Sequence, residues 1–221
     1  MSAESPSPAP FDLCGGHPAL DFVNSLDQRF STGGPVELLI DYEQLLRFAT
    51  ESGLLSVRQA RALAHSSATA AGARAVHAAR ELREALAATL YAAVDGRAPP
   101  SAGLRVLEAR CREASDHREL CWQATGSAAA RPRARWEWGR SESAAELPLW
   151  MLALAACELL ASADLDRVRA CGSETCRWLF LDTSKNHTRR WCNMKVCGNR
   201  MKARRFQARR ARRRRARRLR A

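Results

Sequence analysis

Two cysteine pairs near the C-terminal end constrain this chain more than any other feature: Cys171 with Cys176, and Cys192 with Cys197. Four residues lie inside each pair and fifteen between the pairs. Thiolates at that spacing can converge on one tetrahedral Zn²⁺ if each pair forms a tight loop and the spacer returns the second loop beside the first. A Cys₄ set leaves no coordination position open, so the metal would be structural. Arg169, Arg177, Arg189, Arg190 and Lys195 surround the pairs and would offset the charge of four thiolates. The alternatives are two disulfides, four unligated thiols, or His187 in place of one cysteine. The symmetric spacing favours a metal, as does a cytosolic reading of the chain, since disulfides are rare there.

Charge is divided as sharply as the cysteines are. From Arg167 to Ala221 there are 20 Lys/Arg against two acids, Glu174 and Asp182, whereas the preceding residues hold 16 basic and 21 acidic side chains. A mildly acidic body joined to a strongly basic end points to a polyanionic partner for that end: DNA, RNA or an anionic membrane. The longest apolar stretch, Leu147 to Ala163, is broken by Pro148 and Glu158 and is too short to span a bilayer. No cationic segment followed by an apolar run opens the sequence, so no signal peptide is expected. The expectation is a cytoplasmic, nucleoid-associated protein with no membrane role.

Alanine and leucine dominate the apolar residues and only 6% of the chain is aromatic, which favours helices. Residues 1–10 are polar and proline-rich, and read as a disordered leader. Cys14 to Pro18 reads as a turn, followed by a helix over Ala19–Leu26 with Ala19, Phe22, Val23 and Leu26 on one face. Further helices are expected at Tyr42–Glu51, Val57–Ala68 (capped by Ser56), Ala73–Asp95, Leu104–Ala114 and Pro148–Ala163. Glu119–Gln123 and Arg135–Trp138 alternate and carry tryptophans, so they read as a β-hairpin. Cys111, Cys121 and Cys157 read as small core hydrophobes. The fold expected is mainly α with a small β-hairpin (α+β), then a small Cys₄ zinc finger and a basic helix. Its divisions are a leader at 1–10, a mostly helical body at 11–166, a finger with its helix at 167–210, and an arginine tail at 211–221.

In the finger, Trp178, Leu179, Phe180, Trp191 and Val196 are expected to form a mini-core around the metal. Gly198 would permit a sharp exit and Asn199 would cap the next helix. Arg200, Lys202, Arg204, Arg205, Arg209 and Arg210 would radiate from that helix, joined by Arg189, Arg190 and Lys195 from the finger. Arginine suits guanine edges in a major groove, although most such cations meet phosphates. Residues from Arg212 onward read as a repulsive, solvated tail.

The sequence Cys197-Gly198-Asn199-Arg200 resembles the signature that names the CGNR zinc finger. Phe180-Leu181-Asp182 with Ser184, Arg190-Trp191-Cys192 and Lys202 fit the pattern around it. Upstream, Gly15-Gly16-His17-Pro18-Ala19-Leu20-Asp21-Phe22-Val23-Asn24 looks like the opening of the ABATE domain, which precedes this finger in bacterial proteins. The resemblance covers nearly the whole chain and implies a stress-related bacterial transcription regulator.

The body offers one polar cluster suited to a small-molecule effector: His17, Asp21 and Asn24, with Tyr42 or Trp122 as a wall. The same residues would otherwise satisfy backbone groups at a helix contact. No nucleophile–base pair, phosphate-binding glycine loop or carboxylate dyad is readable, so no enzyme is expected. The functional expectation is a DNA-binding regulator whose body senses a ligand or forms a homodimer. An RNA-binding or ribosome-associated zinc protein is the alternative, since charge alone does not separate the two polymers.

Overall fold

The computed structural model describes residues 10–66, 69–123 and 133–218. Most of the expected leader, the hairpin loop and the last three residues lie outside these. Helix α1 (Pro18–Asn24) starts on its proline, and His17 caps it, Nδ1 accepting from the Ala19 amide at 3.2 Å. It ends before Leu26, which instead opens strand β1 (Leu26–Asp27), antiparallel to β2 (Val36–Glu37). Helix α2 (Tyr42–Glu51) matches the sequence pattern and is followed by Gly53 at φ +78°. Ser56 and Gln59 form a capping box on α3 (Val57–Leu63), which tightens into a 3₁₀ turn at Ala64–Ser66.

Helix α4 (Ala70–Val94) begins earlier than its apolar pattern because Thr69 supplies a cap. Next come α5 (Ser101–Asp116) and α6 (Leu147–Ala161). Between them β3 (Glu119–Gln123) and β4 (Arg133–Glu137) form the expected hairpin, with Leu120 opposite Trp136. A third antiparallel ribbon pairs β5 (Val168–Ala170) with β6 (Leu179–Leu181). The architecture is mainly helical with two-stranded ribbons. Among the described residues, no helix is long and apolar enough to cross a membrane.

Every residue of α1 from Ala19 to Asn24 is buried, so this short helix is the axis of the core. Leu82, Leu86 and Leu90 of α4 pack there with Leu149, Leu152 and Leu159 of α6, each contributing on the order of 2 kcal/mol by burial. Arg83 is also buried. Its guanidinium donates to both Glu37 carboxylate oxygens at 2.7 and 2.6 Å, to Glu84 at 3.0 Å and to Ser25 Oγ at 3.3 Å. That network ties the β1–β2 ribbon to α4. Cys111, Cys121 and Cys157 are only half-buried, so they are not full core members.

Strand β6 belongs to two cores at once, because side chains alternate across a strand. Leu179 and Leu181 enter the main core, while Phe180 faces Cys171, Cys192 and Cys197. This corrects the expected mini-core. Trp178 and Trp191 flank the cysteines, but Leu179 does not join them and Val196 is 48% exposed. The finger is therefore assembled on the body through its central strand.

Candidate metal centre and nucleic-acid interface

The first cysteine loop leaves β5. The Cys171 amide donates to Trp178 O at 2.8 Å, and the amides of Cys176 and Arg177 both donate to Ser173 O at 2.9 Å. Arg177 takes φ +49° to close this turn. The second loop is a single π-turn, Met194–Gly198, in which the Gly198 amide donates to Asn193 O at 3.2 Å and the Cys197 amide at 2.9 Å. Gly172 N to Arg190 O, 2.9 Å, sets the loops side by side. The fifteen-residue spacer is pinned by buried Asp182, whose carboxylate accepts from Ser184 N, Ser184 Oγ and Arg189 N at 3.0, 2.6 and 3.0 Å. Those bonds, the Ser184 hydroxyl foremost, hold the Asp182 carboxyl below the usual carboxylate range.

Sγ atoms of Cys171, Cys176, Cys192 and Cys197 all lie within 4.8 Å of one another. Cys176–Cys192 and Cys192–Cys197 are each separated by 3.7 Å. A tetrahedron with Zn–S bonds of about 2.3 Å has S···S edges of about 3.8 Å, so the donor set fits zinc. Acidity within the cluster is split. Thiol donors from Cys176 and Cys192 draw Cys171 well below the usual thiol range. Cys176 is raised, chiefly by its bond to Cys171, Cys192 chiefly by its bond to Cys14, and Cys197 chiefly by burial. Four sulfurs this close become thiolates together only around a cation. His187 stands outside the cluster, exposed, with Nδ1 3.2 Å from Asp182 O.

The body supplies much of the clamp. Asn24 bonds both backbone groups of Leu179, and Gly15 O accepts from Leu181 N at 2.7 Å. Trp178 Nε1 donates to Asp27 at 3.0 Å, and Tyr91 OH to Arg177 O at 3.1 Å. The Arg177 guanidinium pairs with Asp95 at 2.9 Å and lies over the Phe30 ring. Arg189, expected on the nucleic-acid face, is instead a strap. It donates to the carbonyls of Cys14, Leu181, Trp191 and Cys192 and stacks over Phe180 at 4.4 Å. No sequence signal separates such an arginine from a solvated one.

Of the two readings of His17, Asp21 and Asn24, the structure shows the second, since their polar atoms bond backbone groups. His17 caps α1, and Asp21 Oδ1 accepts from the Gly15 amide at 2.7 Å. The approach needs glycine, since a Cβ at position 15 would stand 2.6 Å from Asp21 Oδ1. Burial raises the Asp21 carboxyl to about 7. Tyr42 is buried with its OH on Ala145 O, and Trp122 lies on the hairpin, 71% exposed. A cleft of about 700 Å³ lies elsewhere, between body and finger, lined by Phe11, Asp27, Trp178, Cys192, Asn193 and Arg200 among others.

Helix α7 (Asn199–Arg218) leaves the second cysteine loop without a break. Asn193 caps the π-turn, its Oδ1 accepting from Lys195 N at 2.9 Å; Asn199, expected to cap α7, is already helical and donates to Lys195 O at 3.1 Å. Gly198 is buried within the turn, not at a sharp exit, and a Cβ there would meet Met194 Sδ at 2.3 Å. Arg190, Lys195, Asn199, Arg200, Lys202, Arg204, Arg205, Arg209 and Arg210 are exposed. The backbone stays helical to Arg218, past the expected end near 210, in keeping with the high helix propensity of arginine and alanine.

Residues 16–163 match the family model ABATE, described as "Putative stress-induced transcription regulator". Residues 167–210 match the CGNR zinc finger. Comparison with curated proteins gives no match. The first match spans more than half of the chain, and the clustered cysteines lie inside the second, so the protein belongs to the ABATE family and carries a CGNR zinc finger after its helical body.

Proposed function

We propose that the protein is a DNA-binding transcription regulator in which one structural zinc ion fixes the direction of α7. A single observation carries this reading. Arg200, Lys202, Arg204, Arg205, Arg209 and Arg210 are exposed on a helix that springs from the metal ligands, and among the described residues none of them pairs with a carboxylate. Such a helix has the width to enter a major groove, with some arginines meeting base edges and the rest phosphates. Cations beyond Arg210 add affinity without selectivity. The body serves as a sensing or homodimerising module and performs no catalysis. The protein works in the cytoplasm on the nucleoid.

Mapping the protein's occupancy on chromosomal DNA in its own cells tests the proposal. Enrichment at promoters supports it. A profile indistinguishable from background, with tight binding to structured RNA in a parallel competition assay, replaces it with the RNA-binding alternative.

A further inference from the structure

The β3–β4 ribbon turns an apolar face to solvent. Side chains alternate along each strand, so Leu120 and Trp122 share one face with their cross-strand partners Trp136 and Ala134. Leu120 is 61% exposed, Trp122 71% and Trp136 54%. The body holds the ribbon at its base, where Trp138 stacks on Trp150 at 6.1 Å and the Arg118 guanidinium lies over the Trp136 and Trp138 rings at 5.0 and 5.8 Å. A two-stranded ribbon is marginal in water unless its apolar face is packed. At about 250 Å² for a tryptophan, the three side chains leave on the order of 400 Å² of apolar surface on one face, the size that marks a contact site on a folded chain.

We propose that this face is a homodimer interface, in which the ribbons of two copies stack apolar face to apolar face about a two-fold axis. The inference rests on the homodimerising role proposed above for the body and gives that role a surface. A two-fold contact requires a patch complementary to itself, and an apolar face flanked by both signs of charge meets that condition. The ribbon carries Glu119 opposite Glu137 at its body end and Arg133 opposite Gln123 at its other end. Antiparallel stacking brings the arginine end of each ribbon to the glutamate end of the other, and sets Trp122 of each copy over Leu120 and Trp136 of the other. Two such faces bury on the order of 800 Å² together, and their polar rims carry the contact toward the roughly 1,200 Å² of a specific interface. Charge selects this occupant over a polyanion or an anionic lipid surface. Those are drawn to the basic end of the chain, whereas the residues before Arg167 hold 16 basic and 21 acidic side chains, so two bodies repel only weakly. A dimer also carries two α7 helices, which suits a DNA site built of two half-sites.

The test measures the mass of the nuclease-treated full chain by sedimentation equilibrium over a range of micromolar concentrations, with no DNA present. The expected result is a reversible dimer. Trp122→Glu and Leu120→Glu weaken it about a hundredfold or more, because each substitution acts twice across a two-fold contact, while Trp122→Phe keeps it. All three variants retain the far-ultraviolet circular dichroism of the parent, since both side chains are exposed. A photocrosslinking phenylalanine analogue in place of Trp122 couples to the ribbon strands of a second copy, identified by mass spectrometry of mixed ¹⁴N- and ¹⁵N-labelled chains. A monomer at every concentration, whether or not it binds phosphatidylglycerol vesicles, overturns the proposal. So does a dimer that both glutamate variants leave intact, or one whose crosslinks fall outside the ribbon. Because DNA does not enter the measurement, any of these failures leaves the DNA reading to the occupancy map.

Discussion

The carboxamide of Asn24 forms a two-point contact with Leu179: Nδ2 donates to its carbonyl and Oδ1 accepts from its amide, each at 2.9 Å. The contact joins the central helix of the body to the strand between the cysteine loops and is buried at both ends. Asn24→Ala leaves two backbone groups of β6 unpaired, which costs on the order of 2–4 kcal/mol. Chemical denaturation measures that loss. Zinc affinity, measured by chelator competition, is expected to fall with it, since β6 carries Phe180 against the sulfurs. An Asn24→Ala variant with unchanged zinc affinity would show that the finger does not depend on the body.

Arg189 and Arg204 look alike in sequence but should behave oppositely. Arg189 bonds four carbonyls, whereas Arg204 is exposed on α7. Arg189→Ala is expected to lower thermal stability and zinc affinity. Arg204→Ala should leave both unchanged and weaken nucleic-acid binding, reducing the slope of log K against log salt by about 0.9 if the residue meets a phosphate. Melting curves, chelator competition and salt-dependent binding separate the two.

Asp21 makes stability depend on pH in a defined direction. Its carboxyl is raised from 3.8 to about 7 by burial. The folded state therefore holds a proton that the unfolded chain gives up near pH 4, and stability from this group is full below pH 4 and lost as pH rises toward 7. Asp21→Asn removes the titration and keeps an acceptor for the Gly15 amide. Its stability relative to the parent should rise by roughly 2–4 kcal/mol between pH 4 and pH 8. A constant difference, measured by urea unfolding at both values, would mean that Asp21 is ionised in the fold.

Metal removal should act locally. The cysteine loops rest on a small cluster and, in the proposed reading, on the ion, while α1, α4 and α6 share a larger core. Chelation is expected to deprotect amides over 171–198 in hydrogen exchange and leave the α4 and α6 amides protected. Uniform deprotection would show that the body needs the metal to fold.

The helical body was legible because apolar period and capping residues are local signals. Ser56 capped its helix as read, and the leucines of α4 faced inward. The cysteine spacing likewise pointed to four sulfurs that the fold brings within 4.8 Å of one another. What could not be read was tertiary. Asn24 and Leu179 are 155 positions apart, and no periodicity reports a carboxamide matched to a strand. Arg189 passed for a phosphate contact because a charge in sequence does not reveal whether carbonyls surround it. Asn199 suits a cap, and no local signal shows that a π-turn capped by Asn193 runs into α7 and makes Asn199 helical.

In the proposed function a metal clamp built on the body aims a cationic helix at DNA. Binding of the zinc-loaded and zinc-stripped full chain, to a duplex drawn from an occupied promoter and to a scrambled duplex of equal length, tests it most directly. Stripping is expected to abolish the preference for the promoter duplex and to leave weak, salt-sensitive binding to both. Equal preference with and without zinc would contradict it, because the arginines would then be reading DNA without the clamp.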